Sequence, residues 1–166
     1  MKVSRHTAQA SERRGPSRTR RLPALAERIA FEFQDGLEGW FPAHDVSGLS
    51  AKNGMLEGHV TGGDPYIIRS ALRVPAGRCP VIRVRMRVTA GQGGEFYWTT
   101  SASPAFAEDK KASFPLVADG QFHEYRLEVG RHALWSGQTI TAIRIDPGNG
   151  ASQADFAVDY VRGGAD

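Results

Sequence analysis

Apolar residues and arginines alternate almost strictly over the eight residues Val81 to Val88, and this pattern limits the fold more than any other feature of the chain. Every second residue from position 82 onward is apolar, namely Ile82, Val84, Met86 and Val88. The residues between them are Arg83, Arg85 and Arg87. A period of two places the apolar side chains on one side of an extended chain and the arginines on the other. The segment is therefore predicted to be a half-buried β-strand, with an arginine row that we expect to be a solvated face paired with Glu124 and Glu128.

Other segments share this character, being short and rich in β-branched or aromatic residues. They are Ile29 to Phe33, Met55 to Val60, Tyr66 to Val74, Glu95 to Thr100, Ala112 to Val117, Phe122 to Val129, Thr139 to Ile145 and Phe156 to Val161. Turn sequences such as Asn53-Gly54 and Asp119-Gly120 separate them, and no segment has the periodicity of a long amphipathic helix. The sequence thus predicts an all-β chain of about nine strands, folded as an antiparallel two-sheet β-sandwich.

The size and cysteine content indicate one packed domain without disulfides. The chain has 166 residues, room for a single domain of ordinary size. It has one cysteine, Cys79, which excludes an intramolecular disulfide and a cysteine-based zinc site. No apolar run approaches the roughly 18 residues of a membrane-spanning helix. We therefore expect packing alone to hold the core, and no membrane span.

Charge is distributed unevenly along the chain. The first 29 residues contain eight Lys/Arg and two acidic residues, which leaves 13 basic and 16 acidic residues for the rest of the chain. This distribution predicts a basic, disordered tail over residues 1–28, a β-sandwich domain over 29–163 and a short C-terminal tail over 164–166. Because the domain carries net negative charge, nucleic acid is not an expected partner. Arginine pairs occur in the tail, but the apolar stretch of a recognisable signal peptide is missing.

Aromatic and polar residues near strand ends are the candidate binding residues. An aromatic ring stacks on the apolar face of a sugar while neighbouring polar groups bind its hydroxyls. The candidate ligand-binding residues are Trp40, Asp64, Tyr66, Arg69 and Trp98. Each has a structural alternative: the tryptophans can fill the space between two sheets, and Asp64 and Arg69 can belong to an ordinary loop and a strand ion pair.

Motifs of catalysis are scarce. The chain has no phosphate-binding loop, no nucleophile elbow and no histidine pair at metal-ligand spacing. No catalytic residue is predicted, and an enzyme is the less favoured interpretation. Two other functions stay open: a sandwich that joins proteins to each other or to a cell surface, with Trp40, Trp98 or Trp135 as anchors, and a jelly-roll lyase or glycosidase with a deep cleft.

The order of several short motifs resembles a known group of β-sandwich modules. These motifs are Phe31-Glu32-Phe33, Glu38-Gly39-Trp40, Asn53-Gly54-Met55-Leu56, Thr61 to Tyr66, Val81 to Val88, Phe96 to Thr100, Asp119 to Tyr125, Ile143 to Pro147 and Asp159-Tyr160-Val161. Together, over about residues 29 to 163, they resemble the galactose-binding-like jelly-roll group, which includes many carbohydrate-binding modules. Such modules are appended to bacterial secreted sulfatases and glycosidases.

The resemblance implies a noncatalytic module that binds a poly- or oligosaccharide. It also implies an extracellular or cell-surface setting and, as a possible partner, a catalytic domain or another protein. In this group a structural calcium is often held where the first and last strands meet. Glu32 and Asp159 stand at positions that resemble those ligands, so they are the candidate calcium ligands.

Overall fold

The computed structural model describes residues 23–165, which form two antiparallel sheets of six strands each. The first sheet contains β1 (Ala30–Phe31), β3 (Val46–Lys52), β4 (Met55–Val60), β7 (Val81–Val88), β10 (His123–Leu127) and β12 (Ala154–Gly164). The second contains β2 (Trp40–His44), β5 (Tyr66–Arg69), β6 (Val74–Pro75), β8 (Gly93–Thr100), β9 (Lys111–Pro115) and β11 (Thr139–Asn149). Two 3₁₀ turns lie at Ala76–Arg78 and Val129–Arg131. The predicted jelly-roll sandwich is confirmed.

Strand order places the longest strands at the sheet centres. The first sheet runs β10-β7-β12-β4-β3 with β1 beside β12, and the second runs β2-β5-β11-β8-β9 with β6 beside β11. The alternating segment is β7 with the predicted bounds, and its Val84 lies opposite Tyr125 of β10 on the inward face. None of the helices between residues 23 and 165 is long and apolar enough to cross a membrane.

The sequence pattern missed β2 and β3, and both are outermost strands. Strand β2 contains Pro42, which has no backbone N–H and fits an edge position. Strand β3 is rich in small and polar residues and is mostly exposed, since it covers little of the core. Neither strand therefore shows the apolar alternation that identified β7.

Aromatic side chains fill the space between the sheets. Trp40, Trp98 and Trp135 are all buried, and the rings of Trp98 and Trp135 meet edge to face at 5.2 Å. The Trp98 Nε1 donates to the carbonyl of Leu134 at 3.1 Å, and the Trp135 Nε1 donates to the carbonyl of Ala76 at 3.2 Å. The rings of Trp98 and Trp135 thus have both packing and hydrogen-bond partners inside the protein, whereas Trp40 packs against Phe31 and Phe33 and its buried Nε1 has no hydrogen-bond partner among the described residues. All three tryptophans therefore fill the space between the sheets.

The folded part begins before the predicted boundary at residue 29. Residues 1–22 of the predicted tail lie outside the described residues, but Ala26 forms a parallel bridge with Leu72. Its amide donates to Ala71 at 3.0 Å, and its carbonyl accepts from Arg73 at 2.8 Å. The domain therefore includes the segment from residue 23, and at the other end β12 continues to Gly164.

Arg69 fixes this segment to the sheet. Its guanidinium is buried and donates to the carbonyls of Ala24 at 2.7 Å, Glu38 at 2.7 Å and Ser70. The backbone must come close to make these bonds: a Cβ added at Gly39 would lie 2.8 Å from the Arg69 Nε. Buried backbone carbonyl groups require hydrogen-bond donors. The Arg69 side chain supplies donors to carbonyl groups from three separate parts of the chain.

We expect Arg69→Ala to lower the free energy of unfolding by roughly 2 to 4 kcal/mol, because it leaves several carbonyls without donors. Urea unfolding followed by circular dichroism measures the change. The control is Arg73→Ala, whose side chain is exposed and whose loss should change stability by less than about 0.5 kcal/mol. Equal stabilities for the two variants would contradict this role.

Candidate functional site

The structure separates the five predicted binding residues into two groups. Trp40, Arg69 and Trp98 are buried, and Arg69 lies opposite Trp40 and Ile143 on the inward face of the second sheet. These three side chains pack in the core, so their burial argues against the prediction that they bind a ligand. Asp64 and Tyr66, by contrast, face outward.

The outer face of the second sheet carries a set of stacked side chains that we call the stacked row: His44, Tyr66, Arg144, Tyr97 and Lys111. Each comes from a different strand, in the order β2, β5, β11, β8 and β9. The row therefore crosses the five main strands of the sheet. It alternates cationic groups or imidazole with phenol rings.

Distances within the stacked row show continuous contact. The rings of His44 and Tyr66 stack at 5.3 Å with an interplanar angle of 11°. The Arg144 guanidinium carbon lies 3.7 Å from the centre of the Tyr66 ring and 4.4 Å from that of Tyr97. The Lys111 Nζ lies 5.5 Å from the Tyr97 ring centre. Cation–π attraction accounts for this alternation.

Carboxylates surround the row and hold its cations. Asp146 accepts two hydrogen bonds from Arg144, each of 2.6 Å. The Asp64 carboxylate lies 3.6 Å from the same guanidinium. Because the fork of Arg144 is engaged by Asp146, its position between the two tyrosine rings is fixed in advance of any ligand.

A second set of polar contacts surrounds Tyr97. The Tyr97 hydroxyl donates to Glu95 at 3.1 Å and to Glu108 at 2.9 Å. The Lys111 ammonium donates to the same two carboxylates at 2.7 Å and 2.5 Å. Asn149 also donates to Glu95, at 3.0 Å. The row thus ends in a compact network of donors and acceptors.

Protonation follows from these contacts. Burial raises the pKa of Asp146 to about 6, although Arg144 favours its ionised form. Burial and the hydrogen bonds to Glu108 and Glu95 raise the pKa of Tyr97, and hydrogen bonds to the same carboxylates raise the pKa of Lys111. At neutral pH the Tyr97 phenol is therefore neutral and lies between two cations, Arg144 and Lys111.

Exposure differs along the row. The side chains of His44 and Asp64 are 50% and 64% exposed, whereas that of Arg144 is 15% exposed. Tyr66 is half-buried. The end of the row at Tyr66 is therefore the accessible end, and the centre is held by packing.

Four members of the row, His44, Tyr97, Arg144 and Lys111, were not among the predicted binding residues. The alternation of β8 and β11 contained part of the signal, because Tyr97 lies between inward Phe96 and Trp98, and Arg144 lies between two isoleucines. That pattern gives the direction of each side chain. It does not give the neighbouring strand, and the row is brought together by strand pairings, such as those of His44 with Tyr66, Arg144 with Tyr97 and Tyr97 with Lys111.

The candidate calcium ligands are each paired with an arginine. Both oxygens of Glu32 accept from Arg162 at 2.7 Å, and Asp159 accepts from Arg85 at 2.5 Å. Among residues 23–165 there is no group of three or more His, Cys, Asp or Glu side chains that could hold a metal ion. Calcium prefers six to eight oxygen ligands, so these two carboxylates do not fit a calcium site as they are arranged.

We expect calcium to leave thermal unfolding unchanged, because binding at Glu32 and Asp159 requires breaking two ion pairs. The measurement is the midpoint of thermal unfolding with excess calcium and with chelator. A midpoint that rises by several degrees in calcium and falls again in chelator would show that a site forms after all.

The buried carboxylate of Asp146 predicts a particular pH dependence. Its pKa in the folded protein, about 6, lies above the ordinary value of 3.8, so its contribution to stability is full below about pH 3.8 and is lost as the pH rises through about 6. Asp146→Asn has no such titration. From pH 7 to pH 5 the wild type should therefore gain about 1 kcal/mol relative to this variant in urea unfolding. Parallel pH profiles would contradict the assignment.

The known proteins that match this chain are solved structures with a similar fold. No protein-family model matches the chain, and no curated protein matches it. A mutant family 29 carbohydrate-binding module, CBM29-2, complexed with mannohexaose, superposes with a TM-score of 0.58 at 12% identity, over 81% of this chain and 87% of that one. A CBM4 structure gives 0.55 at 14% identity, over 78% and 96%.

A further neighbour is the N-terminal cellulose-binding domain of β-1,4-glucanase C from Cellulomonas fimi, with a TM-score of 0.53 at 12% identity, over 86% of this chain and 99% of that one. At such low identities the likeness concerns the course of the backbone rather than particular side chains. The chain therefore has the jelly-roll β-sandwich fold that carbohydrate-binding modules have.

Proposed function

We propose that this chain is a noncatalytic carbohydrate-binding module and that the stacked row is its binding face. The observation that carries the proposal is the row itself, in which aromatic and cationic side chains from the five main strands lie side by side on one outer face. Structural neighbours support it, since their names state binding to mannohexaose and cellulose.

The chemistry of the row suits a polyhydroxylated ligand. A sugar hydroxyl donates to a carboxylate and accepts from an ammonium or a guanidinium, and both kinds of group lie within the row and its surroundings. Tyr66 and His44 add apolar ring surface at the accessible end. Asp64 is beside them and mostly exposed, so it is available to accept from a hydroxyl.

The network beneath the row lowers the cost of binding. Arg144 is already fixed by Asp146, and Tyr97 is already fixed by Glu95 and Glu108. Side chains that are ordered before binding lose little conformational freedom on binding. A face of this kind acts as a rigid platform on which a glycan chain lies.

The other functions have less support. The proposed protein-binding anchors Trp40, Trp98 and Trp135 are buried, so none of them reaches a partner surface. A lyase or glycosidase needs acid and base groups in a deep cleft, whereas the stacked row runs across the five main strands of one sheet. The proposal includes the extracellular setting and the link to a secreted catalytic enzyme that the resemblance implies.

The proposal predicts that Tyr66→Ala weakens glycan binding by about tenfold or more, because it removes the accessible ring and the ring surface against which the Arg144 guanidinium stacks. Affinity electrophoresis against neutral and acidic polysaccharides identifies a ligand, and isothermal titration with an oligosaccharide of that polymer measures the affinity. Circular dichroism verifies that each variant folds.

A matched control exists on the opposite sheet. Tyr160 lies 3.6 Å from the Arg162 guanidinium, much as Tyr66 lies beside Arg144. Tyr160→Ala should therefore leave affinity at the stacked row unchanged. Equal losses in the two variants, or no retardation by any polysaccharide tested, would overturn the proposal.

A further inference from the structure

A groove of about 430 Å³ lies on the outer face of the first sheet, on the other side of the sandwich from the stacked row. It extends over β3, β4, β12 and the end of β7. Its polar lining includes Ser47, Ser50, Glu57, His59, Arg87 and Asp155. Because the two sheets pack about 10 Å apart, a ligand in this groove and a ligand on the stacked row do not touch.

A bulge in the edge strand shapes this groove. Ser47 lies opposite His59 and Ser50 lies opposite Glu57, so β3 has one residue more than β4 between the two pairs. Gly48, within the bulge, has a φ of 62°, a left-handed conformation that favours glycine. Bulges bend a strand and redirect its side chains, and Ser47 and Ser50, on either side of this bulge, line the groove together with His59 and Glu57.

The charged groups of the groove already have partners. The His59 Nδ1 lies 2.7 Å from the Asp155 carboxylate, and the Arg87 guanidinium lies 3.6 Å from Glu57. A charged ligand must compete with one member of each pair. An uncharged hydroxyl group bonds to either member without breaking the pair, since it is both donor and acceptor. The pairing therefore favours a neutral, hydroxyl-rich ligand.

The volume of the groove and the residues that line it further restrict the class of ligand. The volume is near the lower end of ligand pockets, which span roughly 300 to 1,000 Å³, so the ligand is short. The aromatic residue of the lining, Phe156, is buried and packs against Gly58, so its ring offers little surface for stacking. The side chains of His59 and Asp155 are well exposed and reach a ligand without rearrangement.

From these observations we infer that the groove is a second binding site, which takes a short, uncharged oligosaccharide by hydrogen bonding. It differs from the stacked row in chemistry, because the groove relies on paired charges and hydroxyls where the row relies on rings and cations. With sites on opposite faces, one chain binds two glycan segments at once. This inference stands on the groove alone and does not depend on the role of the stacked row.

The test is a titration of the full, ¹⁵N-labelled chain followed by NMR, with mannohexaose, a set of neutral trisaccharides and an acidic uronate oligosaccharide as probes. A Tyr66→Ala background removes the accessible end of the stacked row. Two variants act on the groove: Ser50→Trp fills it from an exposed edge position, and His59→Ala removes a hydrogen-bonding group. Ser136→Trp, also at an exposed serine but outside the groove, is the matched control.

We expect a neutral probe to shift the amide signals of Ser47, Ser50 and His59 in the Tyr66→Ala background, with at least about tenfold weaker binding in Ser50→Trp and no change in Ser136→Trp. Unshifted groove signals with every probe, or unchanged binding in Ser50→Trp, would overturn the inference. Tighter binding of the uronate probe would overturn the preference for neutral ligands. Shifts confined to the Tyr66 face in the unmutated chain would leave the proposed function standing and remove only the groove.

Discussion

The alternation of side chains along β11 is the constraint on which both the core and the stacked row depend. Its isoleucines at 143 and 145 point between the sheets, so Arg144 and Asp146 must point outward. Strand β11 lies between β5 and β8, which supply the two tyrosines on either side of Arg144. A slip of one residue in this register would bury the guanidinium and expose the isoleucines, so core packing also holds the row in place.

The ion pair of Arg144 and Asp146 is better understood as a positioning device than as a source of stability. Asp146 is fully buried, and removing a carboxylate from water costs free energy that its attraction to a guanidinium only partly repays. The raised pKa of Asp146 expresses that cost. In exchange, a long and flexible side chain is held in one orientation between two rings. Arg69 has the corresponding role in the core, where carbonyl groups take the place of the carboxylate.

Local pattern predicted the strands well where one face is buried and the other is solvated. The bounds of β4 and β7 agree with the sequence prediction, whereas β2 and β3 were missed because edge strands with Pro42 or small polar residues need no apolar alternation. Site residues were harder. Tyr66 and Asp64 were predicted from their place at the end of a strand, and the structure puts both on the outer face, where their role in binding stays a prediction. The buried tryptophans have the same local sequence character as exposed ones. Whether a ring packs or binds depends on strand pairing, and a single sequence does not contain that information.

The outermost strands have a consequence for how such modules behave side by side. Of the four, β2 and β9 contain Pro42 and Pro115, β3 carries a bulge, and β10 is five residues long with Glu124 and Arg126 facing out. Proline, bulges and charge all make an edge a poor template for another strand. Copies of this chain at high local concentration therefore have little tendency to merge their sheets.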